Sequence, residues 1–291
     1  MRSNNPVFRN SEAFNGTRTN AYGNTTYPGA GQAQPGYGQA PYSDPSTWGT
    51  GAPVDAGYQT ARGARMTIDS VVQKTGFSLG LLVLTAAVAW VLTGDPITSD
   101  TAYGQLALLS MVGGIGAFAF SLINSFKREI SPALVLVFCG FEGLFVGAFS
   151  KLSVAMFGSD VLVGAVLGTF AAVAGTLAAY KFFNIQVSDK FKKFIVAAMF
   201  GIVAVSLLDA VLSIFSSQIG FNGYGTLGLV MSVVALAVAI GMLLMDFDFI
   251  ERGVAAGIAE RESWRAAFGL TVTIVWIYIN LLRILSILQR N

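Results

Sequence analysis

At 291 residues, 54% hydrophobic and 12% charged, with a mean hydropathy of +0.62, the chain carries more apolar surface than a soluble globular domain can bury, and an integral membrane protein is expected. The formal net charge of +2 is too small to argue for nucleic acid, and no basic patch interleaved with aromatics stands out. Histidine is absent, which removes histidine-based zinc sites, His-containing catalytic triads and the usual sensor of pH between about 5 and 8. Any proton sensing falls to carboxylates, and the single Cys139, inside an apolar run, allows no intrachain disulfide.

Residues 1–65 form the first region. Their Gly, Pro, Asn, Ser, Gln and Tyr content, with the run Tyr27-Pro28-Gly29 through Tyr42, cannot offset ordering entropy by burial, so a disordered tail is expected. No apolar core follows Arg2, so a signal peptide is not expected. A short amphipathic lead-in, Met66 to Thr75, joins the tail to a transmembrane domain spanning 66–291. Apolar runs near 76–93, 105–124, 132–150, 161–183, 194–216, 226–245 and 266–288 are each close to the roughly 20 residues a membrane helix needs. They are continuous rather than alternating, which favours helices over a β-barrel. An all-α membrane protein, a bundle of seven transmembrane helices, is the expected fold.

Arg62, Arg65, Lys74, Lys127, Arg128, Lys181, Lys190, Lys192, Lys193, Arg252, Arg261 and Arg265 all fall on one side of these spans, against Lys151 alone in the opposite loops. The positive-inside rule then makes the N-terminus cytoplasmic and Asn291 extracytoplasmic. Small residues recur at four-residue spacing in Gly76 and Gly80, Gly143 and Gly147, and Gly164 and Gly168, a pattern that lets helices approach closely.

Asp246, Asp248 and Glu251 stand at the end of the sixth apolar run. At about 100° per residue, Asp248 and Glu251 share a face while Asp246 and Asp248 point to nearly opposite sides. Glu142 lies within the third span, Asp209 within the fifth and Arg283 within the seventh, and an ionised side chain at bilayer depth costs about 2.5–3.5 kcal/mol on insertion scales. On the seventh span Gly269, Thr273, Trp276, Asn280 and Arg283 form one polar-aromatic stripe expected to face the bundle. These acids can line a cation path with Arg283 as a fixed counter-charge, and Asp248 and Glu142 are candidates for transient Ca²⁺ contact. The plainer alternative is that they end a span and hold helices in register.

An enzyme is not expected. No Walker-type loop or nucleophile elbow occurs, and an aspartyl protease pair of Asp209 with Asp246 or Asp248 lacks its flanking signatures.

Seven spans, Glu142-Gly143 in the third, Asp246-Phe247-Asp248-Phe249-Ile250-Glu251 after the sixth, and Ala267-Phe268-Gly269 through Trp276-Ile277-Tyr278 entering the seventh resemble the Bax inhibitor-1/YccA family. The opening Met1-Arg2-Ser3-Asn4-Asn5-Pro6-Val7-Phe8 with its Gly/Tyr/Pro tail is similar to the actinobacterial branch. The resemblance covers roughly residues 66–288. It implies a central seventh helix and a pH-sensitive calcium leak gated by acids of the sixth and seventh helices that share a proton. The sixth-helix acid would be Asp246 or Asp248, with Asp248 preferred for its face shared with Glu251. Where the family's seventh helix offers an acid this chain has Asn280, which hydrogen-bonds but does not titrate. Any pH dependence is then expected to be weaker or to move to Asp209, Glu142 or the Asp246–Glu251 cluster, and Asn280→Asp to strengthen it.

The leading expectation is a bacterial inner-membrane cation leak, for Ca²⁺ or another cation, with no cofactor. The alternative is a non-conducting membrane protein that modulates a quality-control protease or other partner through its tail. A proton-coupled transporter is disfavoured, because no internal repeat or Pro-broken span is found.

Overall fold

The computed structural model describes residues 18–19, 25–26, 64–183, 185–215 and 219–290. The chain divides into two units, residues 1–56 and residues 57–291. In the first, strand β1 (Arg18–Thr19) pairs antiparallel with β2 (Thr25–Thr26). The tail expected to be disordered otherwise lies outside the described residues.

The second unit contains seven helices: α1 (Ile68–Leu92), α2 (Asp100–Phe126), α3 (Pro132–Phe157), α4 (Asp160–Phe182), α5 (Asp189–Ile214), α6 (Thr226–Ala255) and α7 (Glu262–Arg290). All seven are long and apolar enough to cross a membrane. Local chemistry sets several starts. Thr67 and Ser70 form a reciprocal capping box on α1, so the amphipathic lead-in is the first turns of the helix itself. Ser99 and Ser188 accept amide protons at the starts of α2 and α5, and Pro132 opens α3, where its missing N–H costs nothing.

Helix α7 packs against α1, α3, α4 and α6, and half of its apolar window is buried (50%), against 11% for α5. The seventh helix is therefore the centre of the bundle, and α5 its most peripheral member. Helix α3 lies between α1 and α2. A Cβ at Gly143 would run into Thr85 and the Leu82 carbonyl, and one at Gly147 into the Ala86 backbone, so two backbones meet there. Gly164 and Gly168 receive Leu285 and Leu281 of α7. The third pair departs from expectation: Gly76 and Gly80 are exposed and meet no neighbour.

The basic end is organised by the connection between α6 and α7. Ahead of α1, Met66 N–H donates to the Ile258 carbonyl (2.8 Å) and Glu260 N–H to the Ala64 carbonyl (2.7 Å), with Arg65 bridged to Ala259. Residues 64–66, just ahead of α1, are thus held against the connection between α6 and α7. Lys74 pairs with Glu260 (2.9 Å), Arg261 with Glu129 (2.7 Å), and Arg265 donates to the Arg128 carbonyl (3.0 Å). At the other end, the solitary Lys151 donates to the carbonyls of Trp90 (2.7 Å) and Thr93 (2.5 Å), closing the C-terminus of α1, where a cation complements the helix dipole.

Candidate functional site

The expected end of the sixth span at residue 245 is too early, because α6 continues to Ala255. Asp246, Asp248 and Glu251 therefore sit inside a helix and are distributed to three different neighbours. Asp246 faces α7. Its Oδ2 accepts a hydrogen bond from Thr273 Oγ1 (2.7 Å), and a Cβ built on Gly269 would lie 3.4 Å from its Oδ1. Gly269 and Thr273, one turn apart on α7, form the wall against which this carboxyl rests. Among the described residues, no Lys or Arg is within ion-pair distance of it.

Asp248 faces away, toward α5. It is 5% exposed, with Lys192 Nζ 2.8 Å from Oδ2 and Arg252 Nε 2.9 Å from Oδ1. Arg252 also donates to the Val187 carbonyl (3.3 Å), and Glu251 accepts the Tyr180 hydroxyl proton (2.5 Å). Together these contacts tie the connection between α4 and α5 to α6. Asp248 is thus met by two protein cations, the partly buried Lys192 and the more exposed Arg252. The preference for Asp248 as the acid facing the seventh helix gives way to Asp246.

Glu142 is half-buried on α3 and has no hydrogen-bond or ion-pair partner among the described residues. Asp209, 3% exposed near the end of α5, accepts backbone amide protons from Ile219 (2.9 Å), Gly220 (3.1 Å) and Asn222 (2.7 Å). Arg283 grips the same loop from α7, with Nη2 donating to the carbonyls of Phe221 (3.1 Å) and Gly223 (3.3 Å). Arg283 forms no ion pair with an intramembrane acid among the described residues, since it and Asp209 both spend polar atoms on the loop backbone.

Asn280, 3% exposed, donates from Nδ2 to the Trp276 carbonyl (2.8 Å). It lies two turns, about 10 Å, along α7 from Thr273, so the structure does not bring it to Asp246. Among the described residues, no group of three or more His, Cys, Asp or Glu side chains could hold a metal ion.

The family model described as Bax inhibitor 1 like matches residues 5–290. The chain belongs to that family. Comparison with curated proteins finds no match.

In this Bax inhibitor 1-like chain, the polar stripe of α7 divides into an upper part at Asp246, made of Gly269 and Thr273, and a lower part at Trp276, Asn280 and Arg283, which lines a separate cleft. The stripe is visible in the spacing of the sequence, whereas the partners Lys192 and Tyr180 are not. Lys192 lay in a basic run that reads as a solvated helix start, and nothing local marks it as the residue that reaches a buried acid.

Proposed function

We propose that the protein is a cation leak of the bacterial cell membrane, passing Ca²⁺ or a similar cation, with the basic end of the bundle in the cytoplasm. The observation that carries this reading is Asp246, a carboxyl held between α6 and the central α7 with a hydroxyl partner and, among the described residues, no protein cation. Ionised at that depth it costs several kcal/mol, and the agents that can remove the charge are a proton or a metal cation. A protonated Asp246 lets α6 and α7 stay in contact. Loss of the proton favours either separation of the two helices or entry of a cation. Glu142, also without a protein partner, is a second oxygen donor along α3. The Lys and Arg clustered at one end support the cytoplasmic assignment of that end.

The test is Ca²⁺ flux into liposomes holding the purified full chain, between about pH 5 and 8, with Asp246→Asn and Asp248→Asn beside the wild type. The reading expects flux that changes with pH, a flat profile in Asp246→Asn and a preserved pH response in Asp248→Asn. Absence of flux above empty liposomes, with the protein folded, would overturn it and favour a non-conducting modulator of a membrane partner.

A further inference from the structure

Near the end of the bundle opposite the basic one, the molecule has a polar site that the leak does not use. Arg283 lies on the wall of a cleft of about 110 Å³, shared with Ser206 of α5, Met231 of α6, Phe221 of the α5–α6 loop and Trp276 and Asn280 of α7. That is room for several water molecules, or for one oxyanion group. The donors of this wall exceed its acceptors. Arg283 Nη2 is taken by two loop carbonyls, while Nε and Nη1 have no acceptor and no carboxylate lies within 4.0 Å among the described residues. Asn280 spends one Nδ2 hydrogen on the Trp276 carbonyl and has a second to give, and the Ser206 hydroxyl makes no hydrogen bond among the described residues. Asp209 of α5, which holds this loop, has both oxygens occupied by backbone amides.

The nearest counter-charge, Asp209, lies beyond ion-pair distance and is engaged by loop amides, so this half-buried guanidinium keeps N–H donors open, and a planar guanidinium takes phosphate-class oxyanions in a bidentate grip. Its depth suits such a group. Arg283 is seven residues from Arg290, the end of α7, or about 10 Å along the helix, near where headgroups meet that end of the bundle. The α5 side of the cleft is thin, since only 11% of that helix's apolar window is buried and Leu207 and Leu208 beside Ser206 are 56% and 51% exposed.

We propose that this cleft binds a phosphate-class oxyanion, with Arg283 supplying the charge and Ser206 and Asn280 the neutral donors. The group can arrive as a lipid headgroup sliding in past α5 or as free phosphate from the aqueous phase. The experiment uses the full chain purified in phosphate-free detergent, as wild type, Arg283→Gln and Ser206→Phe. Ser206→Phe fills the cleft but leaves the contacts of Arg283 with the loop intact, so it decides the matter should Arg283→Gln fail to fold. Two probes are applied: inorganic phosphate, read by the thermal unfolding midpoint, and micelles doped with either phosphatidylglycerol or a neutral glycolipid lacking phosphate, read by native mass spectrometry. Retention of phosphatidylglycerol over the neutral lipid, falling about tenfold in the variants, supports the site and names a lipid as its source. A midpoint raised by inorganic phosphate in the wild type alone supports it with the free ion as source. A wild type indifferent to both probes, or a response that persists undiminished in Ser206→Phe, overturns it.

Discussion

Asp246 Oδ2 and Thr273 Oγ1, 2.7 Å apart, join the sixth and seventh helices by a side-chain hydrogen bond at the level where the Lys192–Asp248 pair holds the fifth helix to the opposite face of the sixth. Replacing Asp246 by Asn preserves the shape and an acceptor for the Thr273 hydroxyl but removes the titrating group. Asp246→Asn is expected to unfold within about 1 kcal/mol of the wild type in detergent, while its Ca²⁺ flux no longer varies with pH.

Asn280→Asp tests whether an acid placed on the seventh helix beside Arg283 communicates with Asp246. The new carboxylate would stand three residues before Arg283 on the same helix and two turns from Thr273, so it is expected to pair with the guanidinium. The pH midpoint of flux should then stay where Asp246 sets it. A midpoint that moves would show that the two acids communicate despite their spacing.

Asp248 is buried and its main partner Lys192 is 29% exposed, whereas Arg252 is 60% exposed and contributes little. Asp248→Ala strands the Lys192 charge and should cost about 3 kcal/mol. Removing both groups in Asp248→Ala/Lys192→Met should cost less than the sum of the single changes, measured as a double-mutant cycle on thermal unfolding.

Gly143 and Gly147 permit the approach of α1 to α3, and Gly76 permits no contact at all. Gly143→Ala and Gly147→Ala are expected to lower stability by about 1–3 kcal/mol each through overpacking. Gly76→Ala, in an exposed helical position, should be neutral or stabilising by roughly 0.5–1 kcal/mol. Unfolding midpoints of the three variants separate the two classes.

Tyr224, in the loop before α6, has its phenol pushed above the ordinary tyrosine value by burial, with the nearby Arg283 charge pulling the other way. The folded chain keeps a proton that the unfolded chain gives up. Its contribution to stability is therefore complete below about pH 10 and is lost as pH rises through the folded value. Tyr224→Phe has no such group, and its alkaline unfolding midpoint should lie at higher pH than that of the wild type.

The seven spans were legible because each is a long apolar run, and membrane helices need little more than that. The length of α6 was not. Asp246 to Arg252 ends a hydropathy run without ending a helix, since Glu and Arg are good helix formers and neither Gly nor Pro intervenes before Gly253. The opposed directions of Asp246 and Asp248 follow from helical periodicity, but which of them meets α7 depends on how α6 is rotated in the bundle, a tertiary fact. Likewise the polar stripe of α7 could be read from spacing, whereas the use of Asp209 and Arg283 as backbone clamps could not. Their partners are main-chain groups, and every residue has those.

The strand-like bridge from Ala64–Met66 to Ile258–Glu260 fastens the chain just ahead of the first helix to the turn between the last two. Tension applied to the polypeptide upstream of residue 64 would be delivered first to the turn joining α6 and α7, and through it to the pair of helices that encloses Asp246.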